Sequence, residues 1–92
     1  MANHPSALKR HRQSEKRRRR NQAIKTQLRH LVRRVREAIA RRDVGAAVEG
    51  LARAGRALDR AVTKGVLHRN NASRRISRLA RAVHALGART GS

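Results

Sequence analysis

The sequence predicts an all-α protein, a three-helix bundle whose first helix is long, highly basic and projects beyond the other two. Three observations carry that prediction. Pro and Gly are absent from Ser6 through Asp43, so nothing punctuates a helix there. In each of three stretches Ile, Leu, Val and Ala recur every three or four residues, the period of a helix with one buried face. Turn signals separate those stretches, first at Arg41-Arg42-Asp43 and then from Lys64-Gly65 to Asn70. At 92 residues, one domain is the expectation.

Helix one is expected over about 6–41. Pro5 interrupts any earlier helix, and Ser6 can cap the amides that follow. Lys9 stands where a capping box would need an acid. From Lys9 to Arg20 the chain carries eight fixed positive charges, one acid (Glu15) and no apolar side chain. Such a segment has nothing to bury, and the four consecutive arginines Arg17 to Arg20 repel one another unless a polyanion lies alongside. Two readings follow. The segment is a solvated, disordered basic tail in the free protein, or a helix of good helix formers that phosphate completes. From Ala23 onward Ile24, Leu28, Leu31, Val32, Val35, Ala38 and Ile39 share one stripe, while Thr26, Arg29, Arg33 and Arg36 point away. A helix of this extent reaches roughly 54 Å at 1.5 Å per residue, and only its second half has a face to pack.

Helix two is expected over 44–63, with Asp43 as its N-cap. Val44, Val48, Leu51, Leu58 and Val62 make the stripe, with Ala47, Ala54 and Ala61 beside it. Glu49, Arg53, Arg56 and Arg60 face outward, and Glu49 to Arg53 is a favourable i,i+4 pair. Gly50 and Gly55 each weaken the helix by ~1 kcal/mol relative to Ala. Gly55 falls on the stripe, where a missing side chain lets a neighbour approach. Lys64-Gly65 closes the helix with a cation and a left-handed Gly. Helix three is expected over 70–86, capped by Asn70 or Asn71, with Ala72, Ile76, Leu79, Val83 and Leu86 inward. Residues 1–5 and 87–92 are expected to be flexible ends. The core is thin, so marginal stability without a partner is the expectation.

Charge is distributed unevenly. Residues 1–42 hold fifteen basic residues and two acids, residues 43–63 three of each, and residues 64–92 seven basic residues and no acid. Helix two is therefore an electrically neutral brace between two basic surfaces. A genome-wide Arg bias would have reached helix two as well. With a formal charge of +20, the isolated fold repels itself and a polyanion relieves the strain.

What is missing narrows the partner. There is no Phe, Trp or Tyr, which removes base-stacking platforms and the usual interfacial membrane helix. There is no Cys, which removes disulfides, Cys-based zinc sites and thiol chemistry. His4, His11, His30, His68 and His84 show no metal-ligand spacing, and only five acids are present. No enzyme, metal, cofactor or small-molecule substrate is expected. The start lacks an apolar leader and no run approaches a membrane span. A cytoplasmic protein with a nucleic-acid partner and no membrane role is the expectation.

A second informative stretch runs from Lys64 to Leu79. Its turn leads into a helix N-terminus, whose unpaired amides favour an anion. His68, Arg69, Asn70 and Asn71 cluster there, with Arg74, Arg75 and Arg78 one and two turns on. They suit a phosphate-gripping corner; a well-capped helix with a solvated face is the plainer alternative.

Here the chain resembles the bacterial small-subunit ribosomal protein twenty family. One motif is Asn3, Ser6, Ala7, Lys9 and Arg10, followed by the run Lys16 to Arg20 and Asn21. The other is Lys64, Gly65, His68, Asn70, Ala72, Arg74, Ser77, Arg78 and Leu79. The resemblance covers nearly the whole chain, with the Gly-containing helix two departing most. It implies a three-helix bundle with a long first helix, bound directly to 16S ribosomal RNA with few or no protein contacts. It further implies that the protein touches the 5′ domain and the long helix of the 3′ minor domain, and helps RNA domains settle together during assembly. The residues expected to meet RNA are Asn3, ahead of the first helix, and Ser6, Lys9, Arg10, Arg12, Lys16, Arg17, Arg18, Arg19, Arg20, Asn21, Lys25, Arg29 and Arg33 within it. In the second surface they are Lys64, His68, Arg69, Asn70, Asn71, Arg74, Arg75 and Arg78.

Rival readings are weaker. The runner-up is a DNA-binding or nucleoid-compacting protein: Asn21-Gln22-Ala23 after a basic run suggests a DNA-binding basic region, but a zipper needs further heptads and helix one stops near Arg41. A membrane-active peptide would need the apolar faces that the bundle uses.

Overall fold

The computed structural model describes residues 5–90, which form α1 (Pro5–Ala40), α2 (Val44–Thr63) and α3 (Arg69–Thr90). Among these residues there is no strand, and the all-α architecture with a long first helix matches the expectation. The basic segment is helical, continuous with the packed half of α1. Asn3, with the rest of residues 1–4, lies outside the described residues, as do 91 and 92.

Helix ends show where local chemistry decides. α1 begins at Pro5, whose fixed φ and missing N–H are tolerated in a first turn. Ser6 therefore lies within that turn instead of flanking it as a cap. α1 closes with the Arg42 N–H donating to the Ile39 carbonyl (3.0 Å) and the Asp43 N–H to the Ala38 carbonyl (2.9 Å). This is the paired bond of a Schellman end, with Arg42 at φ 59 where glycine is usual. α2 ends the same way, Gly65 to Val62 and Val66 to Ala61, and here φ 75 falls on glycine as expected. Asp43 caps α2, its carboxylate accepting from the Ala46 N–H at 3.1 Å.

α3 departs from the expectation at both ends. Its cap is His68, whose Nδ1 accepts the Asn70 N–H at 3.1 Å while its carbonyl accepts from Ala72. Asn70 and Asn71 thus lie inside the helix. At the other end α3 runs past Leu86 and Gly87 to Thr90. Gly87 keeps a negative φ, and a glycine that stays right-handed costs helix stability without ending the helix.

Two apolar clusters fill the bundle. One gathers Val35, Ala38, Ala47, Ala54, Leu79, Val83 and Leu86. The other gathers Leu28, Ala57, Leu58, Ala61 and Ala72, with Ile24 and Ile76 packed against them. No buried polar side chain interrupts either among the described residues. The centre of α2 differs from the predicted stripe. Ala47, Ala54 and Ala61 are fully buried together with Leu58 of the predicted stripe, whereas Val48 is 53% exposed. Those alanines recur every seven residues, and Val48 lies about 100° round the helix from Ala47.

Small residues there bring the helices close. A Cβ built on Gly50 would stand 3.0 Å from Val35 Cγ2 of α1, and one on Gly55 would stand 3.3 Å from Ile76 Cδ1 of α3. Gly55 was expected at a contact; Gly50 is one too, on the opposite flank. α2 packs against both neighbours, and α1 against α3 is the least packed pair. The molecule measures 67 × 22 × 15 Å with a radius of gyration of 18.0 Å, against about 12 Å for a compact chain of this length. The excess is the stem of α1, where every residue from 6 to 20 is exposed except the half-exposed Glu15.

Candidate nucleic-acid interface

The stem is a helix with cations around its whole circumference. Lys9, Arg10, Arg12, Lys16, Arg17, Arg18 and Arg19 are all exposed. The run Lys16 to Arg20 alone steps round the helix at about 100° per residue, so no side of the stem is without charge. Its one acid, Glu15, is tied to Arg18 at 3.0 Å. The hydrogen bond and charge of Arg18 hold that carboxyl below its ordinary range.

Arg20 marks where stem meets bundle. Its guanidinium donates to the Lys64 carbonyl at 3.4 Å and to Asn21 Oδ1 at 3.5 Å. That carbonyl belongs to the C-terminal end of α2, where a helix favours a cation. The two expected contact surfaces therefore meet here: Arg20 and half-buried Asn21 lie beside Lys64. Unlike Arg17 and Arg19, Arg20 has an intramolecular bond as well as an exposed face.

At the corner, His68 Nδ1 accepts the Asn70 N–H, which commits that ring nitrogen to the start of α3. Arg69, Asn70 and Asn71 are exposed beside it. Asn71 accepts from Arg75 Nε at 2.9 Å and so steers that guanidinium along α3. Arg74 and Arg78 are exposed on the following turns.

Further along α1, Lys25, Arg29 and Arg33 are exposed, and Arg33 contacts Glu37 at 3.3 Å. Arg29, Arg33 and Arg36 of α1 face Arg75 and Arg78 of α3 across a groove of about 450 Å³, floored by Val32 and Leu79. Arg36 is absent from the residues expected to meet RNA. Its seven-residue spacing from Arg29 could have indicated it, but the partner helix across the groove could not be read from α1 alone. α2 offers a contrast: Arg53 is held by Glu49 at 2.8 Å, and the segment has as many acids as bases.

Among the described residues no group of three or more His, Asp or Glu could hold a metal ion. Among the described residues no helix is long and apolar enough to cross a membrane.

Comparison with known proteins shows the family. The profile of the family described as Ribosomal protein S20 matches residues 2–84. The small ribosomal subunit protein bS20 of Geotalea uraniireducens (strain Rf4) is 53% identical over 87 residues, 95% of this chain and 100% of the relative. That of Geotalea daltonii is 51% identical over 86 residues, 94% of this chain and 99% of the relative. That of Nitratidesulfovibrio vulgaris (strain DSM 19637 / Miyazaki F) is 49% identical over 83 residues, 90% and 95% respectively. A match of that extent, on a chain whose cations stand on two helices braced by a neutral third, leaves one conclusion. The chain belongs to the ribosomal protein S20 family, structural constituents of the small ribosomal subunit and not enzymes.

Proposed function

We propose that the protein binds 16S ribosomal RNA directly through phosphate and shape recognition, and helps bring rRNA domains together during assembly. The observation that carries this reading is the exposed stem of α1, with cations on every side. A rod with charge on every side can meet phosphates from RNA segments on opposite flanks at once, and so join segments that are distant in sequence. α3 and the corner at His68 supply a second contact surface, and neutral α2 fixes the angle between the two. Protein neighbours contribute little in this reading. Without aromatic rings, and with A-form major grooves closed to side chains, the contacts go to phosphates and sugars.

The test is affinity for a 16S rRNA 5′ domain transcript across a salt series, with duplex DNA as competitor. Affinity is expected to fall by ~0.7 to 0.9 log units per log unit of salt for each phosphate neutralised. Duplex DNA is expected to compete poorly. A nearly salt-independent affinity, or equal displacement by DNA, would overturn the proposal.

A further inference from the structure

The α1–α3 groove does more than add contacts. Arg29, Arg33 and Arg36 line one wall, Arg75 and Arg78 the other, and the floor is Val32 and Leu79. Five like charges on the least packed pair of helices push that pair apart. Only Glu37 offers a counter-charge, at 3.3 Å from Arg33 and from that arginine's own helix. Arg29, Arg36 and Arg78 make no ion pair or hydrogen bond among the described residues. Arg75, which lines the groove, is anchored through Nε to Asn71, and its terminal nitrogens make no hydrogen bond among the described residues.

The geometry points to this groove as a cross-brace site: a run of adjacent RNA phosphates seats between α1 and α3 and locks the bundle closed. The inference rests on the proposed RNA-binding function and assigns it a second role. An anion between the walls replaces repulsion with attraction on both helices. A volume of about 450 Å³ exceeds what one phosphate fills, and guanidiniums on both walls suit consecutive phosphates of one strand, each taken bidentately. The groove also differs from the stem in one decisive respect. It exists only when α1 and α3 are packed, whereas the stem needs only its own helix. A ligand stabilises a fold only as far as it prefers the folded state. Phosphate held by the groove therefore raises the melting temperature of the packed bundle beyond what phosphate along the stem helix contributes.

The experiment compares the full chain with two groove variants, Arg36→Gln/Arg78→Gln and Arg29→Gln/Arg75→Gln, and with a stem variant, Arg17→Gln/Arg18→Gln. Each is melted by circular dichroism alone, with the 5′ domain transcript at matched saturation, and with inorganic tripolyphosphate. All four positions in the groove are exposed, and each groove variant alone is expected to melt no lower than the parent, since repulsion is relieved. The transcript and tripolyphosphate are expected to raise the melting temperature of the parent and of the stem variant. In the groove variants that rise is expected to be at least halved, and the salt slope of RNA binding to lessen by about 1.4 to 1.8 for two lost contacts. If the transcript does not bind the parent at all, the proposed function falls. If it binds and stabilises the groove variants as fully as the parent, only the groove assignment falls.

Discussion

Arg42 holds a left-handed conformation that costs an L-residue about 1 to 2 kcal/mol. Arg42→Gly removes that cost but loses chain entropy on folding, so the variant is expected to be about 0.5 to 1 kcal/mol more stable in urea unfolding. No gain would mean that the Arg42 side chain compensates for its backbone. His68 bears a second local load as the α3 cap. His68→Ala is expected to cost about 1 kcal/mol, and His68→Asp, with an oxygen acceptor, to recover most of it. Equal losses in both would show that the imidazole serves elsewhere. Glu15 restrains Arg18 in the free protein. Its carboxyl is held low, so this support for the stem is present above the ordinary carboxylate range and is lost as pH falls through the lowered value. Glu15→Gln is expected to tighten RNA binding and steepen its salt slope by up to ~0.9 as Arg18 turns to phosphate. Weaker binding would indicate that the pair is needed to shape the stem.

At the scale of the elements, the two glycines of α2 separate packing from propensity. Gly50→Ala gains up to ~1 kcal/mol of helix propensity but sets a methyl 3.0 Å from Val35 Cγ2. Val35 is fully buried and β-branched, so it has little room to turn. The variant is expected to be destabilised by about 1 kcal/mol, at the lower end for overpacking. Gly55→Ala meets only the end of a half-buried Ile76 at 3.3 Å and is expected to be near neutral. Thermal melts of the two variants check the contrast, and equal effects would contradict it. Much of this architecture was legible from residue order. The apolar period gave the three helices, Asp43 gave a cap, and Gly65 gave a left-handed turn. Which side of α2 would be central was not legible, because Val48 and Ala47 both suit a stripe and only the closeness of neighbours favours the smaller one. The cap at His68 was hidden by two better-known capping residues directly after it. Arg36 was hidden because its significance depends on Arg75 and Arg78, which are distant in sequence and opposite in space.

For the molecule as a whole, stem, groove and corner form one cationic surface carried by α1 and α3, and α2 is the brace that holds it. The division of labour is physical: the neutral segment can pack between two basic helices without adding to their repulsion. Under the proposed function the same division sets where binding free energy arises. The most direct measurement is the salt dependence of affinity for the 16S rRNA 5′ domain transcript in two variants of equal charge change. One is Arg17→Gln/Arg18→Gln/Arg19→Gln in the stem, and the other Arg53→Gln/Arg56→Gln/Arg60→Gln in α2. The stem variant is expected to lose about 2.1 to 2.7 from the slope, three phosphates' worth, and the α2 variant to stay close to the parent. A loss confined to the α2 variant, with the stem variant unchanged, would contradict the account.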